Sequence, residues 1–115
     1  MDVSFVPARE SLIARPVGRV DESTWEEFGA VLAQAIEQAA TQDREILIID
    51  LSAIDYMSSR GLRVLTTTKA RGIAAGISIK LAAPNEVMRE ILAISRYDRL
   101  FDVDDSLPDT HRNAL

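Results

Sequence analysis

Two adjacent hydroxyls stand where chemistry would be easiest to do. Residues 50–65 read Asp-Leu-Ser-Ala-Ile-Asp-Tyr-Met-Ser-Ser-Arg-Gly-Leu-Arg-Val-Leu. An apolar run stops at its start, a short loop follows, and Ser58 and Ser59 fall at the mouth of a helix. A serine in that place does one of two things. It caps the helix, accepting a hydrogen bond from an orphan N–H of the first turn. Alternatively it stays exposed, where free N–H groups and the positive end of the helix dipole favour a phosphate. Such a phosphate adds about −1.5 to −2 charges to the surface with little internal damage, which suits a reversible switch acting on a partner. Capping accounts for only one of the two serines.

Little else in the chain is equipped for catalysis. His111 is the single histidine and sits in a polar tail, remote from either serine as a general base. There is no cysteine, hence no disulfide frame, thiolate zinc site or cysteine nucleophile. A transition-metal site would need an unusual set of carboxylates. Gly61, Gly72 and Gly76 lack the spacing of a phosphate-binding loop or dinucleotide fingerprint. The expectation is a binding module with no catalytic residues, no metal and no cofactor.

Charge and hydropathy narrow the partners. Thirteen basic residues against eighteen acidic ones leave a net charge of −5, a poor match for direct nucleic-acid binding. The longest apolar run, Ile46-Leu47-Ile48-Ile49, ends at Asp50, far short of the ~20 residues of a membrane span. Met1-Asp2-Val3-Ser4 is not a basic stretch leading into an apolar one, so neither a signal peptide nor membrane insertion is expected. A cytoplasmic protein is.

The elements that must position Ser58 and Ser59 follow from periodicity. Val3–Val6 and Leu12–Val17 read as short strands around a turn at Pro7–Ser11. Gly18 to Ser23 forms a polar approach to a long helix, with Ser23 and Glu26 spaced as a capping box. Trp25, Phe28, Val31, Leu32, Ala35, Ile36 and Ala39 recur at helical spacing and define its apolar face. Glu45–Leu51 lacks alternation, as a strand covered on both faces does. A second helix runs from the serines to about Ala75, with Leu62, Val64 and Leu65 inward. A strand follows over Ile77–Ala82, then a third helix after Pro84 with a stripe of Val87, Met88, Ile91 and Leu92. A short extended piece is expected around Leu100–Val103. This order predicts an α/β fold: one domain over residues 1–107, with a small mixed β-sheet packed against α-helices, and a polar tail over 108–115.

Asp50-Leu51-Ser52, followed by Tyr56-Met57-Ser58-Ser59-x-Gly61-Leu62-Arg63-Val64-Leu65, resembles the signature of the STAS domain. More narrowly it is similar to the bacterial anti-sigma-factor antagonists. Gly18-Arg19-Val20-Asp21, Ala83-Pro84-Asn85-Glu86-Val87 and Leu100-Phe101 sit where similar family segments would, so the likeness covers about residues 3–105. The resemblance implies a partner switch. The unphosphorylated antagonist binds an anti-sigma factor, often a serine kinase of the histidine-kinase-like ATPase fold. That kinase phosphorylates the antagonist and ends the interaction; a metal-dependent serine phosphatase restores it. The family phosphoserine is the second residue before the Gly-Leu pair, which places it on Ser59. Asp21 matches a family acidic residue near that site, and such an aspartate also serves as an ordinary turn cap.

Two positions depart from the common pattern. Ser58 stands where many antagonists carry Asp, and Arg60 replaces a small residue. A cation in the first helical turn opposes the dipole. Arg60 therefore either pairs with Asp21 or Asp55, contacts a phosphate on Ser59, meets a partner carboxylate, or is merely solvated. The partner surface expected from the resemblance comprises Asp21, Asp55, Ser58 and Arg60 around Ser59. Arg63 and Thr67 join it from the next turn, being four apart on one helix face. The alternative reading keeps the fold and makes Ser59 only a cap: a non-switching STAS scaffold subunit of a lipid transporter or a sensory assembly.

Overall fold

The computed structural model describes residues 1–108 of the 115, and the tail from 109 with His111 lies outside the described residues. Six strands and three helices follow in the order β1 (Asp2–Pro7), β2 (Ser11–Val20), α1 (Trp25–Thr41), β3 (Ile46–Asp50), β4 (Ile54–Met57), α2 (Ser59–Ala74), β5 (Ser78–Ala82), α3 (Glu86–Ser95) and β6 (Val103–Asp104). A 3-10 turn at Tyr97–Arg99 precedes β6. The sheet runs β1-β2-β3-β5-β6; β1 is antiparallel to β2 and the other pairings are parallel. This is the mixed α/β architecture expected from the alternation of elements.

The unbroken apolar run of β3 is explained by what covers it. Leu47 and Ile49 face the helices, among Phe28, Leu32, Leu65 and Met88. Ile48 points to the other side and packs with Ala8, Ile13 and Ala82 in a second, smaller cluster. Both faces are sealed, so alternation has no work to do.

β2 belongs to two ladders. Ser11–Ala14 pairs with β3, while Gly18–Val20 pairs in parallel with β4. Pro16 falls in the gap between them, where a missing N–H costs nothing on that side. Gly18 has φ +128° at a register shift in the second ladder, a conformation that other residues adopt rarely. β4 itself was not expected from sequence; the stretch read as loop. Four residues with Asp55 among them carry too little pattern, and their partner lies some forty positions away.

Three further expectations are corrected. Ser23 and Glu26 form no capping box: Thr24 is the N-cap of α1, and no side chain caps the helix there. The Ser23 hydroxyl donates instead to Asp21 Oδ1 at 2.9 Å, because a charged carboxylate two residues away is the stronger acceptor. Val87 does not join the buried stripe of α3 and is 48% exposed; Met88 and Leu92 fill that role, with Ile91 partly buried. Val64 is only half-buried, since it forms the wall of a groove between α1 and α2.

Asn85 ties α3 to the loop before β4. Its Oδ1 accepts from the Met88 N–H at 2.9 Å, and its Nδ2 donates to the carbonyls of Ile54 at 2.7 Å and Ser52 at 3.3 Å. Asn85→Ala removes a cap and strands two carbonyls, so urea unfolding should show a loss of about 2 kcal/mol. Asn85→Asp keeps the cap but turns a carboxylate toward those carbonyls, and it should not restore stability. A wild-type midpoint for Asn85→Ala would remove this role.

Candidate functional site

The site forms where the end of β2, the loop into α1 and the start of α2 meet. Asp50 starts the descent: buried at the end of β3, it accepts from the Ser52 N–H at 2.9 Å and turns the chain toward β4. β4 then runs beside β2, and the Ser58 N–H donates to the Val20 carbonyl at 2.8 Å. That bond fixes where α2 begins.

The two serines divide the roles left open by sequence. Ser58 is the N-cap of α2, with φ −77° and ψ 174°, and its Oγ accepts from the Gly61 N–H at 3.5 Å. Ser59 is the first helical residue; it is exposed, and its hydroxyl makes no hydrogen bond among the described residues. Gly61 explains how closely the turn sits. A Cβ there would come within 2.4 Å of Met57 Cγ and 2.7 Å of Val20 Cγ1, so the helix start is pressed onto the ends of β2 and β4.

Asp21 organises the loop beside Ser58. Oδ1 accepts from the N–H and the hydroxyl of Ser23, both at 2.9 Å, and Oδ2 meets Arg19 Nε at 3.1 Å. The Thr24 hydroxyl accepts from the Asp21 N–H at 2.9 Å and donates to the Arg19 carbonyl at 2.6 Å. The Ser23 hydroxyl, then the Ser23 N–H, hold the Asp21 carboxyl down from 3.8 to about 2. Asp21 is therefore a loop staple whose oxygens are already engaged.

A pH dependence follows with a definite sign. A carboxyl whose value is lowered on folding stabilises the fold above its unfolded value and loses that contribution as pH falls through the folded one. The stability gap between wild type and Asp21→Asn in urea titrations should be constant above about pH 4 and close as pH approaches about 2. A gap that widens on acidification would contradict it.

Arg60 pairs with neither Asp21 nor Asp55. Its Nε meets Glu22 Oε2 at 3.0 Å, and its guanidinium lies 5.1 Å from the centre of the Trp25 ring. Arg63, Val64 and Thr67 complete a small cavity of about 140 Å³ with Trp25 and Arg60. The Thr67 hydroxyl donates back to the Arg63 carbonyl at 3.2 Å, so it is occupied within the helix. Asp55 is exposed on β4, and no hydrogen bond or ion pair links it to Ser58, Ser59 or Arg60 among the described residues.

Arg60, Arg63 and Thr67 share one cavity, Ser58 and Ser59 open the same helix, Asp21 lies next to Glu22, which holds Arg60, and Asp55 stands outside these contacts. Sequence reasoning missed four contributors. Arg19 pairs with Asp21 and stacks 4.3 Å from the Tyr56 ring centre. Glu22 holds Arg60, Trp25 packs partly buried against the core while its ring reaches the cavity, and Asn85 braces the start of β4. Arg19 left a local trace, an opposite charge two residues from Asp21, and Asn85 left another, a favoured cap residue at the start of a helix. Among the described residues no cluster of three or more His, Asp or Glu could hold a metal, and no helix is long and apolar enough to cross a membrane.

A family model described as the STAS domain matches residues 6–110. The chain belongs to the STAS domain family. Among curated proteins, the STAS chain is 29% identical over 80 residues to the anti-sigma-F factor antagonist RsfB of Mycobacterium tuberculosis; the match takes in 70% of this chain and 65% of RsfB. The STAS fold is shared with an anti-sigma factor antagonist from Mycobacterium paratuberculosis, at a TM-score of 0.74 and 21% identity over 92% of this chain and 86% of that one. It is shared also with unphosphorylated SpoIIAA, at a TM-score of 0.64 and 18% identity over 89% and 87% of the two chains. The phosphorylated form of SpoIIAA, a Bacillus cell fate determinant, aligns at 0.58 and 19% identity over 89% and 90%.

Proposed function

We propose that this STAS domain is an anti-sigma-factor antagonist working in a partner switch, with Ser59 as the residue that is phosphorylated. The observation that carries this is the division of labour between the serines. Ser58 caps the helix, which leaves the Ser59 hydroxyl exposed and uncommitted at the N-terminus of α2. RsfB is named an anti-sigma-F factor antagonist, and SpoIIAA has been solved with and without its phosphate, which supports the same reading here.

In the binding state, the anti-sigma factor covers Ser59 together with Asp21, Ser58, Arg60, Arg63 and Thr67, and Asp55 lies at the margin. The partner is a serine kinase of the histidine-kinase-like ATPase fold. Transfer breaks the bond between the γ-phosphorus of ATP and its bridging oxygen and forms one from Ser59 Oγ. ADP leaves, and the hydroxyl proton passes to a base of the kinase. A metal-dependent phosphatase reverses this by water attack on phosphorus, releasing phosphate and restoring the hydroxyl. The STAS chain is the substrate in both steps and the catalyst in neither, and the switch operates in the cytoplasm.

The test is affinity capture from the native host with wild-type and Ser59→Asp chains, with mass spectrometry of the retained proteins and of Ser59. An ATPase-fold kinase held by wild type and lost with Ser59→Asp, with phosphate on Ser59, is the expected result. Recovery of the same transporter or sensory proteins by both chains, with Ser59 unmodified, would assign a constitutive STAS scaffold instead.

A further inference from the structure

The cavity beside Arg60 continues along the molecule. A second opening of about 350 Å³ shares Trp25, Val64 and Thr67 with it and extends past Gly29, Ala30, Ala33 and Arg71. Together they form one groove between α1 and α2, starting a turn from Ser59 and running toward the other end of α2.

Its walls are chemically distinct. In a chain of net charge −5, α2 carries Arg60, Arg63, Lys69 and Arg71 and no acidic residue. Lys69 is turned away, donating to the Leu100 carbonyl. The three arginines face the groove; Arg60 is held by Glu22, while Arg63 and Arg71 form no ion pair among the described residues. Gly29, Ala30 and Ala33 keep the α1 wall low, which lets a backbone approach closely. Glu26 and Glu37 flank them one turn before Ala30 and one turn after Ala33. Trp25 and arginine, the residue types most enriched at binding hot spots, stand together at one end.

We propose that this groove docks an amphipathic helix of the anti-sigma factor, whose acidic edge lies against Arg63 and Arg71. The inference rests on the proposed function and adds a contact at Arg71, the far end of the groove, that phosphorylation does not govern. Arg71 is twelve residues from Ser59, about 18 Å along the helix at 1.5 Å per residue. That exceeds the Debye length of about 8 Å at physiological salt, so a phosphate on Ser59 is largely screened at the far end. The switch acts at the near end and the groove sets a base affinity common to both states.

The test uses the anti-sigma factor recovered in the capture experiment, purified, and titrated against the full chain. Arg71→Glu and Ala30→Trp, both at exposed positions, should each weaken binding about tenfold, and Arg71→Glu should do so by the same factor with Ser59→Asp present. A photo-reactive p-benzoylphenylalanine at position 30 should cross-link to an acidic helical segment of the partner. Unchanged affinity for both groove variants, with Ser59→Asp still releasing the partner, would overturn the groove and leave the switch standing. Groove variants that weaken binding while Ser59→Asp does not would leave the groove and overturn the switch. Cosedimentation of the chain with vesicles of equal phosphatidylglycerol and phosphatidylcholine, abolished by Arg71→Glu, would reassign the groove to an anionic lipid surface. If no anti-sigma factor binds the chain, both readings fall.

Discussion

Ser59→Asp should weaken binding of the anti-sigma factor about a hundredfold, while Ser59→Ala binds like wild type and takes no phosphate. The magnitude comes from one charge. A carboxylate ~6 Å from a partner carboxylate costs about 3 kcal/mol at an effective dielectric near 20, which is roughly a hundredfold in Kd. A true phosphate carries about −1.5 to −2 charges and greater bulk, so the phosphorylated chain should bind more weakly still. The fold should not respond, because the hydroxyl is exposed and an anion at a helix N-terminus is favourable. Ser58→Ala supplies the contrast: it removes the cap, costs about 0.5–1 kcal/mol of stability and leaves phosphorylation of Ser59 in place. Calorimetric titration and urea unfolding of the three variants separate these effects. Equal affinity for wild type and Ser59→Asp would sink the electrostatic account.

Gly61→Ala should be the most damaging single methyl in the molecule's binding region. Its Cβ would need the space of Met57 Cγ, 2.4 Å away, and of Val20 Cγ1, 2.7 Å away. Met57 and Val20 are both buried and hemmed in, so the first turn of α2 must lift from the sheet. Overpacking of this kind costs about 3 kcal/mol, despite the better helix propensity of alanine. Because Ser59 rides on the same turn, partner affinity should fall together with the unfolding midpoint. For stability alone, Gly29→Ala is the internal control. Its nearest neighbour would be Val64 Cγ1 at 3.8 Å, an ordinary contact, so the change should be neutral or stabilise by up to about 1 kcal/mol. If both variants unfold at the wild-type midpoint, the close packing of the helix start is not what positions the site.

The parts legible in sequence were those with strong local periodicity. α1 could be read because Phe28, Leu32, Ala35 and Ile36 repeat at 3.6, and all are buried. β3 could be read because an unbroken run of that length suits a strand sealed on both faces. The serines were legible as a pair but not individually. Which one caps depends on the hydrogen bond from the Ser58 N–H to Val20, a contact across 38 residues. The Ser23–Glu26 spacing misled because motif rules consider only their own residues, and Asp21 outcompeted the expected partner. Arg60 left several pairings open in sequence. Its choice of Glu22 and Trp25 depends on how α2 lies against α1, which no local pattern encodes.

The divided strand β2 gives these contacts a common mechanical setting. Its first half is locked into the central sheet, and its second half is held sideways only by β4, through a three-residue ladder that starts at a positive-φ glycine. Backbone bonds alone would leave that half easy to open. Val20, Ile54 and Met57, which this ladder brings together, are nonetheless buried in the main core, so packing fixes the start of α2 where hydrogen bonds are few. Force applied at Ser59 therefore passes through Gly61 into Met57 and Val20, and that end of the surface behaves as the outer end of a rigid strut.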